Sequence, residues 1–185
     1  MKLLLCSASP RRREFLERLG VRFQVAPAHI DETQRAGEPA LEYAMRLARE
    51  KAAAGARPGF AALGADTVVV SQDQVLGKPR DTPDAERMLR RLSGAEHEVI
   101  TAVAIAGLRA TAAMTRVRFA ELTEAQVRWL AASGEGDDKA GAYAAQGLAG
   151  AFIERIEGSF SNVVGLPLPE TLALLQEAGV ELPWT

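Results

Sequence analysis

Residues 60–70 have the sequence FAALGADTVVV, an apolar run that only Gly64, Asp66 and Thr67 interrupt. The run ends in β-branched residues, and turn-forming residues flank it on both sides. This length and composition predict a central β-strand that is buried on both faces. We expect the rest of the chain to be arranged around this strand.

The segments before this strand alternate between strand and helix patterns. They are a short strand at 2–6, a helix from Pro10 to Gly20, a short strand at 21–25, a polar loop at 27–39 and a helix at 41–54. Ser9 precedes the first helix as an N-cap candidate, and Gly55 ends the second helix. The chain is therefore expected to open with strand, tight turn and helix.

The segments after the central strand continue the alternation. They are a helix at 82–92, paired strands at 99–106 and 111–119, a helix at 123–132 with a capping box, a segment rich in Ala and Gly at 139–150, a strand at 151–156 and a helix at 169–178. This order predicts an α/β fold. The 185 residues are expected to form a single domain, with two lobes as an option.

The overall charge narrows the choice of ligands. A formal net charge of -2 and an isoelectric point of about 5.8 give no general attraction to nucleic acid or to anionic lipid. We therefore expect no nucleic-acid partner. A phosphate ligand would have to be held by individually placed cations.

The apolar runs and the cysteine content indicate in which cellular compartment the protein is expected. No stretch approaches the roughly 20 apolar residues of a membrane span, and the run from Leu3 to Leu5 is too short for a secretory signal. Cys6 is the only cysteine, which rules out an internal disulfide and a zinc cluster built on thiolates. We expect a cytoplasmic protein with no membrane partner. The oligomeric state stays open, a homodimer included.

Lys51 breaks the pattern of the second helix. At about 100° per residue it falls inside the apolar stripe that contains Leu47 and Ala48. One interpretation is a lysine near the helix end whose ammonium extends to water. The other is a cation directed into a binding site, and the pattern alone does not choose between them.

Asp66 breaks the pattern of the central strand. A carboxylate in a buried strand costs several kcal/mol unless it is paired, hydrogen-bonded or bound to a metal. Gly64 lets another group approach the backbone closely, and Asp66 followed by Thr67 offers a carboxylate beside a hydroxyl. A structural salt bridge remains possible, but the pattern favours a functional carboxylate.

The first tight turn places basic residues at the start of a helix. Arg11, Arg12 and Arg13 follow Ser7 and Ser9, where backbone amides and the helix dipole already favour an anion. Arg13 fits a solvated basic face. Arg12 does not, because it shares the helix side of the apolar residues.

Three further residues give weaker signals. Lys78 lies in the tight turn Leu-Gly-Lys-Pro, which would present its ammonium from a restricted backbone. Glu32 lies on the polar loop and would ordinarily face solvent. Gln146, among very small side chains, suits either a turn or the edge of a nucleotide base.

Together these segments resemble the Maf family over nearly the whole chain. The matching motifs, in family order, are SASPRR at 7–12, LAREKA at 47–52, GADT at 64–67, LGKP at 76–79, LSG at 92–94 followed by His97 and Thr101, DKAGAY at 138–143, and NVVGLP at 162–167. Each motif alone would be weak. Their number and order make coincidence a poor explanation.

This resemblance implies a fold similar to that of inosine triphosphate pyrophosphatases. It is an α/β fold with a long mixed β-sheet, flanked by helices, and two lobes around a cleft. The resemblance also implies one nucleotide pyrophosphatase domain over residues 1–185. Its activity would be house-cleaning hydrolysis of the bond between the α and β phosphates of a nucleoside triphosphate, with Mg²⁺ or Mn²⁺ as cofactor.

The same resemblance assigns roles to the residues that break local patterns. Asp66 matches the proton acceptor of the family and, with Glu32, its metal site. Arg12, Lys51 and Lys78 match phosphate-neutralising positions. The residues expected to cradle the triphosphate with the helix start are Ser7 and Ser9.

Base preference in the family is expected to follow three positions, which hold Arg11, Thr67 and Gln146 here. That combination resembles the branch acting on dTTP and UTP. The branch acting on methylated GTP carries tryptophan, glutamine and glutamate there. Ala144 and Ala145 stand where relatives often have Gly-Ile, so the shape of the base pocket stays open.

Two other functions compete with this hypothesis. Cys6 and Arg12 have the Cys-x5-Arg spacing of cysteine-dependent phosphatases, although the intervening residues lack the glycines of a tight phosphate loop. The second alternative is a regulator of cell division that senses nucleotides without catalysis. No obvious partner-binding helix or tail supports it.

Overall fold

The computed structural model describes residues 1–184, in which strands and helices alternate. The elements are β1 (Lys2–Leu5), α1 (Pro10–Arg18), β2 (Phe23–Val25), α2 (Ala40–Ala54), β3 (Phe60–Ser71), β4 (Gln74–Leu76), α3 (Thr82–Leu92), β5 (Glu96–Ile105), β6 (Ala110–Phe119), α4 (Glu124–Ala132), β7 (Ile153–Glu157), α5 (Phe160–Val164) and α6 (Leu168–Glu177). Short 3-10 helices cover Ala140–Ala142 and Leu148–Phe152. Within residues 1–184, no helix has the length and apolar character that crossing a bilayer would require.

The strands form one mixed sheet in the order β2-β1-β3-β5-β6-β7, and β4 pairs with β3. β1 runs parallel to both β2 and β3, whereas the β3–β4 and β6–β7 pairs are antiparallel. The run at 60–70 therefore forms the predicted central strand. The predicted α/β class with a long mixed sheet flanked by helices is confirmed.

The sequence predictions missed two short elements, β4 and α5. β4 follows β3 through a two-residue turn at Gln72 and Asp73, which both adopt positive φ angles of 49° and 58°. Hairpin turns with two positive φ angles are usually recognised in a sequence by glycine or asparagine, and neither residue type occupies positions 72 and 73. α5 has only five residues, too few to show a helical period.

Helix capping follows the predictions only in part. Thr123 and Gln126 form the predicted capping box at the start of α4. Ser9 occupies the predicted N-cap position of α1, although its side chain makes no capping hydrogen bond. The hydroxyl of Ser7 accepts the amide hydrogen bond of Ser9 instead, at 3.2 Å.

The chain divides into two compact units. Among the described residues, the first contains 1–66, 101–113 and 165–184, and the second contains 67–100 and 114–164. Leu16 of α1 and Leu174 of α6 lie in the core of the first unit with Leu3, Leu5 and Leu63. The core of the second unit contains apolar residues of α3, β6 and α4.

The side chains of β3 point alternately to the two faces of the sheet, and this determines which of them contact α1 and which contact α2. Successive residues point to opposite faces of a strand, and Leu63 and Ala65 join the core beside α1. Gly64 faces α2 so closely that a Cβ atom there would lie 2.1 Å from the carbonyl oxygen of Ala48 and 2.4 Å from the amide nitrogen of Ala52. The missing side chain at Gly64 therefore allows α2 to pack against β3.

Gly64→Ala is expected to lower the free energy of unfolding by about 3 kcal/mol or more, because a methyl group would collide with helix backbone. Gly77→Ala is a matched control, because no atom lies within 4 Å of a Cβ at that position. Urea denaturation of the two variants measures the difference. Equal stabilities would contradict the proposed close approach of α2 to β3.

Candidate active site

Asp66 and Lys51 form a buried ion pair in the first unit. Lys51 Nζ lies 2.7 Å from Asp66 Oδ1, and both residues are 7% exposed. The pair follows from the packing of Gly64, because Lys51 directly precedes Ala52 on α2 and Asp66 is on the same face of β3 as Gly64. The interpretation that the Lys51 ammonium extends to water is therefore wrong.

Glu32 joins this pair from the loop before α2. Its Oε1 lies 2.9 Å from Lys51 Nζ, and its side chain is 48% exposed. One ammonium thus contacts two carboxylates, one buried and one open to solvent. Glu32 therefore belongs to the same cluster as Asp66. Its position on a polar loop does not distinguish it, in the sequence, from an ordinary solvent-facing residue.

Arg12 supports the cluster from α1. Its Nη1 donates to the hydroxyl of Ser7 at 2.9 Å and to the carbonyl of Ala65 at 2.9 Å, and its Nε donates to the carbonyl of Gly165 at 2.8 Å. Arg12 is buried, as its position beside the apolar side of α1 predicts. The bond to Ala65 holds the backbone immediately before Asp66.

The remaining residues of the first turn lie at the start of α1. Ser7 is buried, and Ser9 and Arg11 are half-buried. Helix starts such as this one generally favour anions, because their backbone amides and the helix dipole present positive charge.

The surroundings of Asp66 change the pKa of its carboxyl group. Burial raises the pKa of the Asp66 carboxyl above its ordinary value, while the charges of Lys51 and Arg12 lower it and the charge of Glu32 raises it. The burial effect is the largest of these, so the net direction is upward. A carboxylate held in this way is a better proton acceptor than a fully solvated one.

The donor set of the cluster suits a hard divalent cation. Glu32 and Asp66 offer carboxylate oxygens that converge on one ammonium, and oxygen is the ligand type that Mg²⁺ and Mn²⁺ prefer. Across residues 1–184, no group of three or more His, Cys, Asp or Glu side chains is placed to hold a metal. Glu32 and Asp66 would supply two ligands to such a cation, and Mg²⁺ commonly takes its other ligands from phosphates and water.

Three predicted residues belong to the second unit. Lys78 is exposed on the loop after β4, where the carbonyl of neighbouring Gly77 accepts a hydrogen bond from the Gly141 amide at 3.1 Å. Thr67 is half-buried on β3. Gln146 is exposed just before the 3-10 helix at 148–152.

Two residues of α2 near the cluster were not singled out by sequence reasoning. The hydroxyl of Tyr43 donates to the carbonyl of Glu32 at 2.6 Å, and Arg46 contacts the same loop. A surface-facing tyrosine and arginine on an amphipathic helix carry no distinguishing signal in one sequence. Only their contacts with the loop reveal them.

Cys6 does not share the surroundings of Arg12. It is 1% exposed and packs with Leu4 and Ala62, whereas Arg12 contacts Ser7. Burial raises the pKa of the Cys6 thiol, which disfavours the reactive thiolate. The geometry therefore gives no support to a cysteine-dependent phosphatase.

The mixed sheet and this cluster together define a class of protein: an α/β protein in which a buried ammonium joins two carboxylates beside the central strand. Within that class the chain belongs to the Maf-like protein family, whose sequence profile matches residues 2–178.

Curated relatives of the chain share a common name. A dTTP/UTP pyrophosphatase of Anaeromyxobacter dehalogenans is 53% identical over 190 residues, covering 99% of this chain and 97% of the relative. Proteins with that name from Hahella chejuensis and Myxococcus xanthus are 51% and 54% identical, each covering 98% of this chain and 94% and 95% of the relative. The similarity thus extends over nearly the full length of each protein.

In metal-free protein, the Asp66 carboxyl is expected to titrate above the ordinary value of about 4. Its carboxylate form is therefore lost as the pH falls through a raised midpoint. Lys51→Met removes the nearest positive charge and should move that midpoint further up. Carboxyl ¹³C chemical shifts measure it, with Arg90→Met as a charge-loss control. A midpoint at or below that of a solvated aspartate would contradict the description of the site.

Cys6→Ala is expected to retain the full phosphohydrolase rate of the parent, because the thiol is buried and apart from Arg12. The native thiol should also react more slowly with a disulfide reagent than the thiol in urea. Loss of turnover in a folded Cys6→Ala protein would revive the phosphatase hypothesis.

Proposed function

We propose that this chain is a metal-dependent nucleoside triphosphate pyrophosphatase that hydrolyses dTTP and UTP to the monophosphate and pyrophosphate. The observation that carries the proposal is the placement of Lys51 between the carboxylates of Asp66 and Glu32, at 2.7 and 2.9 Å. The names of the curated relatives support the reaction and the two substrates. Removal of unwanted nucleotides is the proposed house-cleaning role.

Charge balance explains why a cation would be needed. Arg12 and Lys51 carry two positive charges, and Glu32 and Asp66 carry two negative charges that already lie close to them. This set is formally neutral and leaves the several negative charges of a triphosphate uncompensated. A divalent cation at the carboxylates, together with Arg11 and Lys78, would supply the missing positive charge.

Asp66 is proposed as the general base. Its raised pKa and its buried position suit the transfer of a proton from an attacking water to one of its carboxylate oxygens. Lys51 would keep that carboxylate oriented, and Arg12 would fix the backbone beside it. Hydrolysis of a phosphoanhydride requires little covalent chemistry from the protein, so positioning and charge neutralisation carry most of the catalysis.

Glu32 and Asp66 are the proposed metal ligands. When bound there, Mg²⁺ or Mn²⁺ would neutralise phosphate charge and increase the acidity of a water molecule. Ser7 and Ser9 would hold phosphate oxygens at the start of α1, where the amides of the first turn favour an anion.

Recognition of the base is assigned to Arg11, Thr67 and Gln146. This combination resembles the dTTP and UTP branch, and relatives of this chain are named for those two substrates. The whole chain is proposed to act as one pyrophosphatase domain, which the match over residues 2–178 supports. A cytoplasmic location, a homodimer and the absence of a nucleic-acid partner stay predictions.

Incubation of pure protein with Mg²⁺ and a panel of nucleotides should yield monophosphate and pyrophosphate from dTTP and UTP. Asp66→Asn should fold and bind nucleotide but lose about 10²- to 10⁴-fold of the rate, as expected for a missing general base. Phosphorus NMR identifies the products and therefore the bond that breaks. Parental turnover by Asp66→Asn would remove Asp66 as the base, and nucleotide binding without any product would favour the regulator.

A further inference from the structure

The loop that carries Glu32 has no regular secondary structure of its own. Residues 26–39 between β2 and α2 contain neither helix nor strand. An acidic side chain on such a segment would sample many positions unless other groups held the loop. The contacts that hold it therefore decide whether Glu32 stays beside Lys51.

Tyr43 holds the loop at the backbone of Glu32 itself. Its hydroxyl donates to the Glu32 carbonyl oxygen at 2.6 Å. A tyrosine hydroxyl is neutral at working pH and can donate such a hydrogen bond. One hydrogen bond thus acts on the residue whose carboxylate contacts Lys51.

Arg46 holds the loop at two further points. Its Nη2 donates to the carbonyl of Thr33 at 3.1 Å, one residue after Glu32. Its Nε and Nη2 also bind both carboxylate oxygens of Glu38, at 2.6 and 2.8 Å. The Glu38 carboxylate in turn accepts the amide hydrogen bond of Arg35 at 3.0 Å. The guanidinium therefore connects the middle and the end of the loop.

This Arg46 ion pair differs from an ordinary surface pair. The side chains of Arg46 and Glu38 are 13% and 10% exposed, so water screens their attraction less than in the Arg90–Glu124 pair, at 43% and 59%. The contact is bidentate, as it also is between Arg90 and Glu124, so the difference between the two pairs lies in their burial. Hydrogen bonding to Arg46 lowers the pKa of Glu38 to about 2, so the pair stays charged at working pH.

We infer that Tyr43 and Arg46 are positioning residues that hold the loop of residues 26–39 on α2 and thereby keep the Glu32 carboxylate beside Lys51 and Asp66. The inference rests on the proposed function, because the importance of Glu32 comes from its proposed metal-binding role. Both residues lie on α2, the helix that also carries Lys51. One helix therefore connects the buried ammonium with the loop that carries the Glu32 carboxylate.

Amide hydrogen exchange tests the inference without metal or nucleotide. Arg46→Met should raise exchange of the amides of Arg35 and Glu38 by about tenfold or more, because it removes the contacts that hold this part of the loop. Tyr43→Phe removes a single hydroxyl and should raise exchange across 26–39 by less. Arg46→Lys should behave like Arg46→Met, because an ammonium cannot form the bidentate contact.

Metal dependence gives the second measurement. In both Arg46 variants the Mg²⁺ concentration for half-maximal dTTP hydrolysis should rise by about 10- to 100-fold, the usual effect of losing a group that orients a metal ligand. Tyr43→Phe should shift it in the same direction. The KM for dTTP at saturating Mg²⁺ should change little, because neither residue is assigned to the nucleotide.

Arg90→Met is the matched control. It removes an arginine that pairs with Glu86 and Glu124, and it should change neither the exchange of residues 26–39 nor the Mg²⁺ dependence. The inference is overturned if the Arg46 variants and Tyr43→Phe retain parental exchange. It is also overturned if exchange rises while the Mg²⁺ dependence stays parental.

Failure of the proposed function gives a different result. A parent protein that releases no pyrophosphate from any nucleotide would reject the pyrophosphatase proposal, and the metal-binding importance of Glu32 with it. The exchange measurement would still report whether Tyr43 and Arg46 hold the loop. Active parent protein with unaffected variants would reject the positioning inference alone.

Discussion

The ion pair between Lys51 and Asp66 is the interaction on which the candidate site depends. Removing two charges from water costs several kcal/mol for each ion, and close contact with good geometry must offset that cost. The contact at 2.7 Å exists only because Gly64 lets α2 approach the backbone of β3. The missing side chain at Gly64, which takes part in no chemistry itself, therefore makes the ion pair possible.

The cluster is assembled from both sides of one strand. α2 brings Lys51 to the face of β3 that carries Gly64 and Asp66, while α1 packs on the face that carries Ala65. Arg12 nevertheless reaches the carbonyl of Ala65, so it orders the backbone beside Asp66 from the other side. Each buried charge thus has a partner, and the resulting neutral set explains why a triphosphate would need further cations.

Besides carrying Lys51, α2 contacts the loop of residues 26–39. Its outer residues Tyr43 and Arg46 contact the loop that carries Glu32, while its inner residues pack against β3. A single helix can therefore link the buried half and the exposed half of the carboxylate pair. This division matches the exposure of Asp66 and Glu32, at 11% and 48% of their side chains.

The sequence by itself determined the α/β class, the central strand and most helix positions, because the hydrophobic period is a local property of the chain. It also marked Asp66 as a residue that needs a partner, because a charge in a buried strand is costly wherever the strand lies. Periodicity could not find β4 or α5, which are too short to display one. It also left two interpretations of Lys51 and gave no reason to select Tyr43 or Arg46. Only the tertiary structure showed that Lys51 is paired and that Tyr43 and Arg46 contact the loop. Such contacts depend on which residues far apart in the sequence meet in space, and a pattern along the sequence does not give the distances between them.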